Sequence, residues 1–385
     1  MTGRSARPIL FCATGVTGID GGIASANRNV LAALEAVGAE TGRAVQTLVL
    51  TEAGRDAPGY RTFGGDKLAF GLACLAGMRR AGLAVFDHVR LAVPMLALPG
   101  FLRPPSVICA HGSEGSWRLR PSSARAYRAA DLVLANSNYT LGRMRSRIAA
   151  FNGVACPLGL PPQFLPTTAP PPPACLEMVL EAADGVRRPL EDRVLLLTGR
   201  MDAAEQEKGH RELLDILPEL VARYPRTQLV LAGSGSDLEP LRTLARSSPV
   251  AGQVFLPGRV STADLEGLYR KAYAFTMPSR QEGFGLAYLE AMNFAKPCLA
   301  CHDDGGADVV VDGETGVLVR QPIERTELLE AIGRLLADPG FARRLGESGW
   351  RRLNQHFTSA AHQARVAGFV RQLLDVGAPD RQGDQ

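Results

Sequence analysis

Two glutamates eight positions apart, Glu282 and Glu290, bracket the tripeptide Gly283-Phe284-Gly285 in the stretch MPSRQEGFGLAYLEAM. The apolar run before them, YAFTMPS (273–279), predicts a strand, with Ser279 to Glu282 as its loop and a helix beginning near Phe284. A helix start there leaves the amides of Gly283, Phe284 and Gly285 unpaired, a setting suited to hydroxyl or phosphate oxygens. At about 100° per residue, Glu290 falls between Leu286 and Phe294 on a helix with no wholly polar face, so its carboxylate is expected to be half-buried. A buried carboxylate needs partners, and the two adjacent hydroxyls of a ribose would supply them.

Cations come next. The chain has only four lysines, Lys67, Lys208, Lys271 and Lys296, beside 39 arginines. Lys208, in LLLTGRMDAAEQEKGHRELL, opens a predicted helix eight residues after Arg200, which ends the strand before it. A compact ammonium beside a forked guanidinium can hold two phosphate oxygens without a metal. A cation at a helix start otherwise opposes the helix dipole, at about a few tenths of a kcal/mol.

Two further loops follow strands. In SVICAHGSEGSW, His111 comes directly after a buried run, where it would face a ligand and bond it or shuttle a proton. In ATGVTGIDGGIASANRNVLAAL, Gly15, Gly18, Gly21 and Gly22 separate the first strand from the first helix and let backbone amides approach phosphate or sugar oxygens.

The elements that must position these residues read as βαβ grammar throughout: apolar runs bounded by glycine or polar turns alternate with segments of helical period. Strands are expected at 8–15, 45–51, 83–91, 106–110, 132–135 and 153–158, then at 193–199, 228–233, 253–258, 273–279, 297–301 and 316–319. The fold class is α/β, with two doubly wound Rossmann-like domains of six strands facing a cleft. The proline-dense stretch LPPQFLPTTAPPPPAC (160–175) marks the boundary, since it fits neither helix nor sheet interior. The domains are set at 1–165 and 166–357, and a last helix within 358–385 crosses back to the first domain. Ligands are expected beyond the carboxyl ends of the strands.

Composition bounds the class. Among 385 residues, 46% are hydrophobic and 21% charged, with no apolar run of membrane-spanning length, as in a soluble globular protein. The arginine-bearing start, MTGRSARPILFCATGVTG, breaks at glycines and reads as a first strand, which places the chain in the cytoplasm. Seven cysteines, odd in number and mostly inside apolar runs, imply a reducing compartment and no disulfide framework. The stretch CLACH (298–302) has haem-attachment spacing but sits where a buried strand is expected.

The net charge of +4 is uneven. Residues 1–165 carry 18 basic against 9 acidic residues, and the remainder 25 against 30. Such a first half either has a solvated basic face or meets something anionic, such as a membrane surface carrying a lipid-phosphate acceptor. Nucleic acid is disfavoured, because Arg118, Arg120, Arg125, Arg128, Arg143, Arg145 and Arg147 lack interleaved aromatics.

Together these residues resemble the retaining glycosyltransferases of the GT-B architecture, family 4 (glycosyl transferases group 1), of the bacterial polysaccharide type. The resemblance rests on the glycine-rich first loop, AHG, TGR…EKGH, LAGSGSDLEPL, VFLPGRVS, MPSRQEGFGLAYLEAM and GGADVVVDGETGVLV. It implies that Arg200 and Lys208 clamp the diphosphate of a nucleotide sugar, that Glu290 holds the ribose, and that Glu282 with the amides of Gly283 to Leu286 holds the donor sugar. His111 would contact the sugar near its reacting face. Gly21 and Gly22 join the donor contacts from the first domain, as do Gly258 and Arg259 of VFLPGRVS. The nucleoside diphosphate sugar is then a co-substrate, with no further cofactor, and the second partner is a glycan or lipid-linked acceptor.

Two departures stand out: the Arg200–Lys208 spacing exceeds that of many relatives, and Asp308 stands where relatives often carry glutamate. No Asp-x-Asp pair follows a strand, as in a metal-free site. The same fold would also serve a nucleotide-sugar epimerase or hydrolase, or a sugar-nucleotide sensor without turnover.

Overall fold

The computed structural model describes residues 6–17, 21–112, 119–161, 163–164, 168–170, 177–204 and 207–376. Gly18, Gly115, Arg118, Cys175, much of the proline-dense stretch and the end of the chain lie outside them. By internal contacts the chain divides into two compact units, Met1–Gln163 with Phe357–Gln385, and Phe164–His356.

The first unit runs β1 (Ile9–Ala13), α1 (Gly22–Thr41), β2 (Val45–Val49), β3 (Tyr60–Thr62), α2 (Lys67–Met78), β4 (Leu83–Phe86), α3 (Val89–Ala92), β5 (Ser106–Ala110), α4 (Pro121–Ala129), β6 (Leu132–Ala135), α5 (Asn138–Arg145) and β7 (Gly153–Ala155). Its sheet is parallel, in the order β3-β2-β1-β4-β5-β6-β7. Both faces are covered, which is why the strands read as continuous apolar runs. Along β1, Leu10 and Cys12 join one core cluster while Ile9, Phe11 and Ala13 join the other.

The second unit continues with β8 (Val179–Glu181), β9 (Arg187–Pro189), β10 (Arg193–Thr198), α6 (His210–Arg223), β11 (Thr227–Ala232), α7 (Leu238–Arg246), β12 (Val254–Gly258), α8 (Thr262–Lys271), β13 (Ala274–Thr276), α9 (Leu286–Asn293), β14 (Cys298–Cys301), α10 (Gly306–Val309), β15 (Gly316–Val319), α11 (Arg325–Ala337) and α12 (Pro339–His356). Its parallel sheet has the order β12-β11-β10-β13-β14-β15, and β8-β9 form a separate hairpin. The last helix, α13 (Ser359–Val376), belongs to the first unit. There Val366, Ala367 and Val370 pack with Val30, Ala33, Leu34 and Val37 of α1.

Several expected strands are shorter in the structure, for local reasons. The run 83–91 stops at Phe86 because Asp87 leaves the sheet and His88 caps α3, its Nδ1 accepting from Arg90 N (3.1 Å). The run 273–279 pairs only over Ala274–Thr276, ahead of Pro278. The count of six holds for the second sheet, but β3 adds a seventh strand to the first, and the β8-β9 hairpin was not foreseen. CLACH is the buried strand β14, and its Cys298 and Cys301 are free thiols that burial pushes up in pKa. Among the described residues no helix is long and apolar enough to cross a membrane.

Candidate functional site

In each sheet the connection reverses direction at its first strand, between β1 and β4 and between β10 and β13. Strand carboxyl ends beside such a reversal leave an open crevice. In the second unit Arg200 follows β10, Lys208 precedes α6, and the loop of Glu282 follows β13.

Lys208 Nζ donates to Glu282 Oε2 at 2.7 Å, with 24% and 19% of the two side chains exposed. The lysine stem runs across the backbone of Gly199, where an added Cβ would lie 3.0 Å from Lys208 Cδ. Arg200 is exposed next to it. Burial would push the Glu282 carboxyl up, but the Lys208 charge and bonds from the Phe284 and Gly283 amides more than offset this and hold it below the usual carboxylate range.

Those bonds correct one expectation. The amides of Gly283 and Phe284 do not point out unpaired; the carboxylate of Glu282 folds back onto them. The helix also starts at Leu286 and not near Phe284. Gly285 adopts φ +89°, and a Cβ there would sit 2.3 Å from Tyr288 Cδ2, so this left-handed corner is reserved for glycine. Gln281, a non-glycine residue at φ +74°, is held by Nε2 donating to Glu207 Oε1 at 3.1 Å. Non-glycine residues in that region cost about 1–3 kcal/mol and cluster at functional sites.

Glu290 is half-buried, as its helical phase predicts, and its partner is a protein group. Tyr269 of α8 donates its hydroxyl to Glu290 Oε2 at 2.7 Å, and Thr198 Oγ1 at the end of β10 lies 2.7 Å from the same hydroxyl. The Tyr269 ring is fully buried, stacked on Phe294 with centroids 5.8 Å apart. Burial pushes the Glu290 carboxyl up to about 7, with the Tyr269 bond pulling the other way. Nothing in the order of residues signals this chain of hydroxyls.

Asp304, also unanticipated, lies under the same loop. It is buried, Oδ1 accepts from Gly306 N at 2.7 Å, and Oδ2 has no hydrogen-bond partner. Gly305 N donates to Glu282 O at 2.8 Å, tying the two loops back to back. Burial and the Glu282 charge push Asp304 well above the carboxylate range. Its signal in the sequence was an acid pair, Asp303-Asp304, directly after a buried strand. Gly258 ends β12 at φ +77° and Arg259 is exposed beyond it.

In the first unit, His111 Nε2 lies 2.8 Å from the carbonyl of Asp87, so this nitrogen carries the proton in that contact. Asn136 Nδ2 donates to the His111 carbonyl at 2.8 Å. Asp87 was hidden inside an apolar run. It is buried, its Oδ2 accepts from Thr14 N and Asn27 Nδ2, both at 2.7 Å, and from the Thr14 hydroxyl; burial raises its pKa against these bonds.

The glycine-rich loop is partly filled from within. Glu52 Oε1 accepts from the amides of Val16 and Thr17, both at 2.6 Å, which removes these from the set free for a ligand. Gly21 is the N-cap of α1, with Gly22 its first residue; glycine supplies no side-chain cap, and the first turn holds no acid.

Two doubly wound units of this kind, with basic and acidic side chains gathered at the carboxyl ends of the second sheet, define a GT-B fold. Solved structures agree. The chain matches sucrose-phosphate synthase from Thermosynechococcus elongatus with a TM-score of 0.76 at 22% identity, over 96% of this chain and 100% of the other. It matches Anabaena Alr3699/HepE, solved in complex with UDP and glucose, with a TM-score of 0.68 at 18% identity, over 95% and 99%.

The family model for glycosyl transferases group 1 matches residues 181–352. A GDP-mannose-dependent alpha-(1-6)-phosphatidylinositol monomannoside mannosyltransferase of Mycolicibacterium smegmatis is 32% identical over 63% of this chain and 64% of its own length, a little under two thirds. Its namesake in Mycobacterium tuberculosis is 30% identical over 68% of each chain. A glycogen synthase of M. tuberculosis is 28% identical over 77% of this chain and 73% of its own. The chain belongs to the glycosyl transferases group 1 family.

Proposed function

We propose that the protein transfers a hexose from a nucleoside diphosphate sugar, GDP- or UDP-linked, to a glycan or lipid-linked acceptor, with retention at the anomeric carbon. The observation that carries this reading is the Lys208–Glu282 pair beside Arg200, at the strand ends of the second unit.

The barrier to such a reaction lies in separating an anionic diphosphate from an oxocarbenium-like sugar. Fixed cations stabilise the charge where it develops. In this reading Arg200 and Lys208 bear on the diphosphate, so that no divalent ion is needed there. Glu282, pinned by Lys208 and by two amides, accepts from donor-sugar hydroxyls. Glu290, when ionised, accepts from the ribose diol with the Tyr269 hydroxyl steadying it. The acceptor hydroxyl attacks the anomeric carbon from the face the diphosphate leaves. The C1–O bond to phosphate breaks, the new glycosidic bond forms, and the acceptor proton passes to the departing phosphate. His111, its ring fixed by the Asp87 carbonyl, lies against the sugar, and Gly21 and Gly22 approach the diphosphate.

GDP-mannose is the first donor to test, because the two mannosyltransferases just named are described as GDP-mannose-dependent. Thermal-shift measurement against GDP-, UDP- and ADP-sugars tests the reading, followed by turnover of the stabilising donor with and without chelator. A donor that raises Tm and is consumed slowly without acceptor supports it. Rapid consumption without acceptor would assign a hydrolase or epimerase, binding without any turnover a sensor, and activity abolished by chelator would overturn the metal-free diphosphate site. The excess of basic residues in the first half supports an acceptor held at an anionic membrane surface.

A further inference from the structure

Helix α2 has the sequence KLAFGLACLAGM, with no charged residue after Lys67. A helix apolar on all sides belongs in a core. Only its inner side is there: Phe70, Cys74 and Met78 are buried, whereas Leu68 and Leu72 remain 75% and 61% exposed. Leu68, Leu72 and Arg79 follow at i, i+4 and i+11, so they share one outward face at about 100° per residue.

A second exposed apolar group adjoins the end of this helix. Phe101 and Leu102 are 86% and 46% exposed. With Met78 and Arg79 they line a cavity of about 480 Å³ that also receives Arg7, Arg43 and Arg103. Among the described residues no carboxylate lines it. The surrounding chain is equally one-sided: residues 67–112 contain five basic residues, Lys67, Arg79, Arg80, Arg90 and Arg103, and a single acid, Asp87, which is fully buried. The acid at the start of the helix, Asp66, is engaged as its N-cap, accepting from Leu68 N and Ala69 N at 3.0 Å.

We propose that the outer face of α2, together with Phe101 and Leu102, is a docking surface for an anionic phospholipid bilayer, the apolar side chains entering the acyl boundary and the arginines meeting lipid phosphates. It deepens, and rests on, the reading of a membrane-held acceptor. Apolar residues ringed by cations are the makeup of interfacial helices, and scattered single exposures would not align in this way. A second copy of the chain fits less well, because a twofold contact through this face brings arginines of one copy against arginines of the other with no described carboxylate of the cavity lining between them.

The test is co-flotation of the full chain with phosphatidylglycerol vesicles and with neutral phosphatidylcholine vesicles, over a salt series. The expected result is binding to the anionic vesicles that weakens with salt. Arg79→Gln with Arg80→Gln should lower affinity about 25-fold, roughly fivefold for each arginine near a charged surface. Leu72→Gln with Phe101→Ser should abolish the salt-resistant fraction. Unchanged Tm in both variants shows that the fold is kept. Absent binding, equal binding to neutral vesicles, binding that neither double variant alters, or a wild-type dimer that Leu72→Gln with Phe101→Ser dissociates would each overturn the proposal. Donor-induced Tm shifts on the same samples separate the two readings: vesicle binding without a donor response sinks the transferase reading, and a donor response without vesicle binding sinks this surface.

Discussion

Lys208 Nζ and Glu282 Oε2 sit 2.7 Å apart, and the same carboxylate also receives the amides of Gly283 and Phe284. In the proposed reading the lysine is shared between this fixed carboxylate and the donor diphosphate. The carboxylate is kept ionised by the cation and amides it holds. The contact to Glu282 takes one of the ammonium's three donors.

Substitution of Lys208 or Arg200 by alanine should cut turnover by at least about a hundredfold each, the scale of losing one preorganised charge partner at a developing anion. The two roles differ in one respect. Lys208→Ala also strips Glu282 of its cation, so that a Lys208→Ala, Glu282→Gln pair should be far from additive, whereas Arg200→Ala with Glu282→Gln should be closer to it. Steady-state kinetics on the three single and two double variants decides this, and wild-type turnover in both single alanine variants would remove the leaving-group role.

In the proposed reading Glu290 links donor binding to pH. Its carboxyl is pushed up to about 7, and the ionised form, with both oxygens acceptor-only, is the better partner for the two ribose hydroxyls. The donor KM should therefore rise as pH falls through about 7, while Glu290→Gln should give a high, flat KM over the same range. A wild-type KM independent of pH between 6 and 8 counts against the ribose contact.

Tyr269→Phe isolates the hydroxyl relay. The ring keeps its stacking on Phe294, but Glu290 loses its donor and Thr198 its partner. Donor KM should increase about fivefold, the size of one net hydrogen bond, with kcat little changed. Nucleotide titration by calorimetry reads the same effect without turnover.

How much of this was legible in the chain follows from the range of the forces involved. The buried parallel strands were readable because their apolar runs are local, and the scarcity of lysine singled out Lys208. The phase of a helix located Glu290 as half-buried. What could not be read is who answers whom across distance: Tyr269 reaching Glu290, Glu282 turning back on its own amides, and Glu52 filling the glycine-rich loop. Each is a polar contact satisfied in three dimensions, with no period in the sequence. Asp87 was lost for a different reason, because an acid at the end of β4 was counted as part of a longer apolar strand. Gly285 was legible as a glycine but not as the corner that delays α9 by two residues.

Asp304 offers a separate test of the electrostatics beneath the loop. Burial and the nearby Glu282 charge raise its pKa well above the usual range, while its unfolded value stays at about 3.9. The folded protein then binds one more proton than the unfolded chain once pH exceeds that unfolded value, so stability declines as pH rises toward the folded pKa. Asparagine reproduces the neutral acid, keeping an oxygen for Gly306 N, and has no carboxyl to ionise in the unfolded chain. Asp304→Asn should accordingly match the wild type near pH 4, around the unfolded value, exceed it in Tm at pH 8, and retain turnover, whereas Asp304→Ala should lose the Gly306 bond and lower Tm at both. Denaturation scans at the two pH values check this: an Asp304→Asn protein less stable than wild type at pH 8 would mean that the carboxylate is ionised there and needed as an anion.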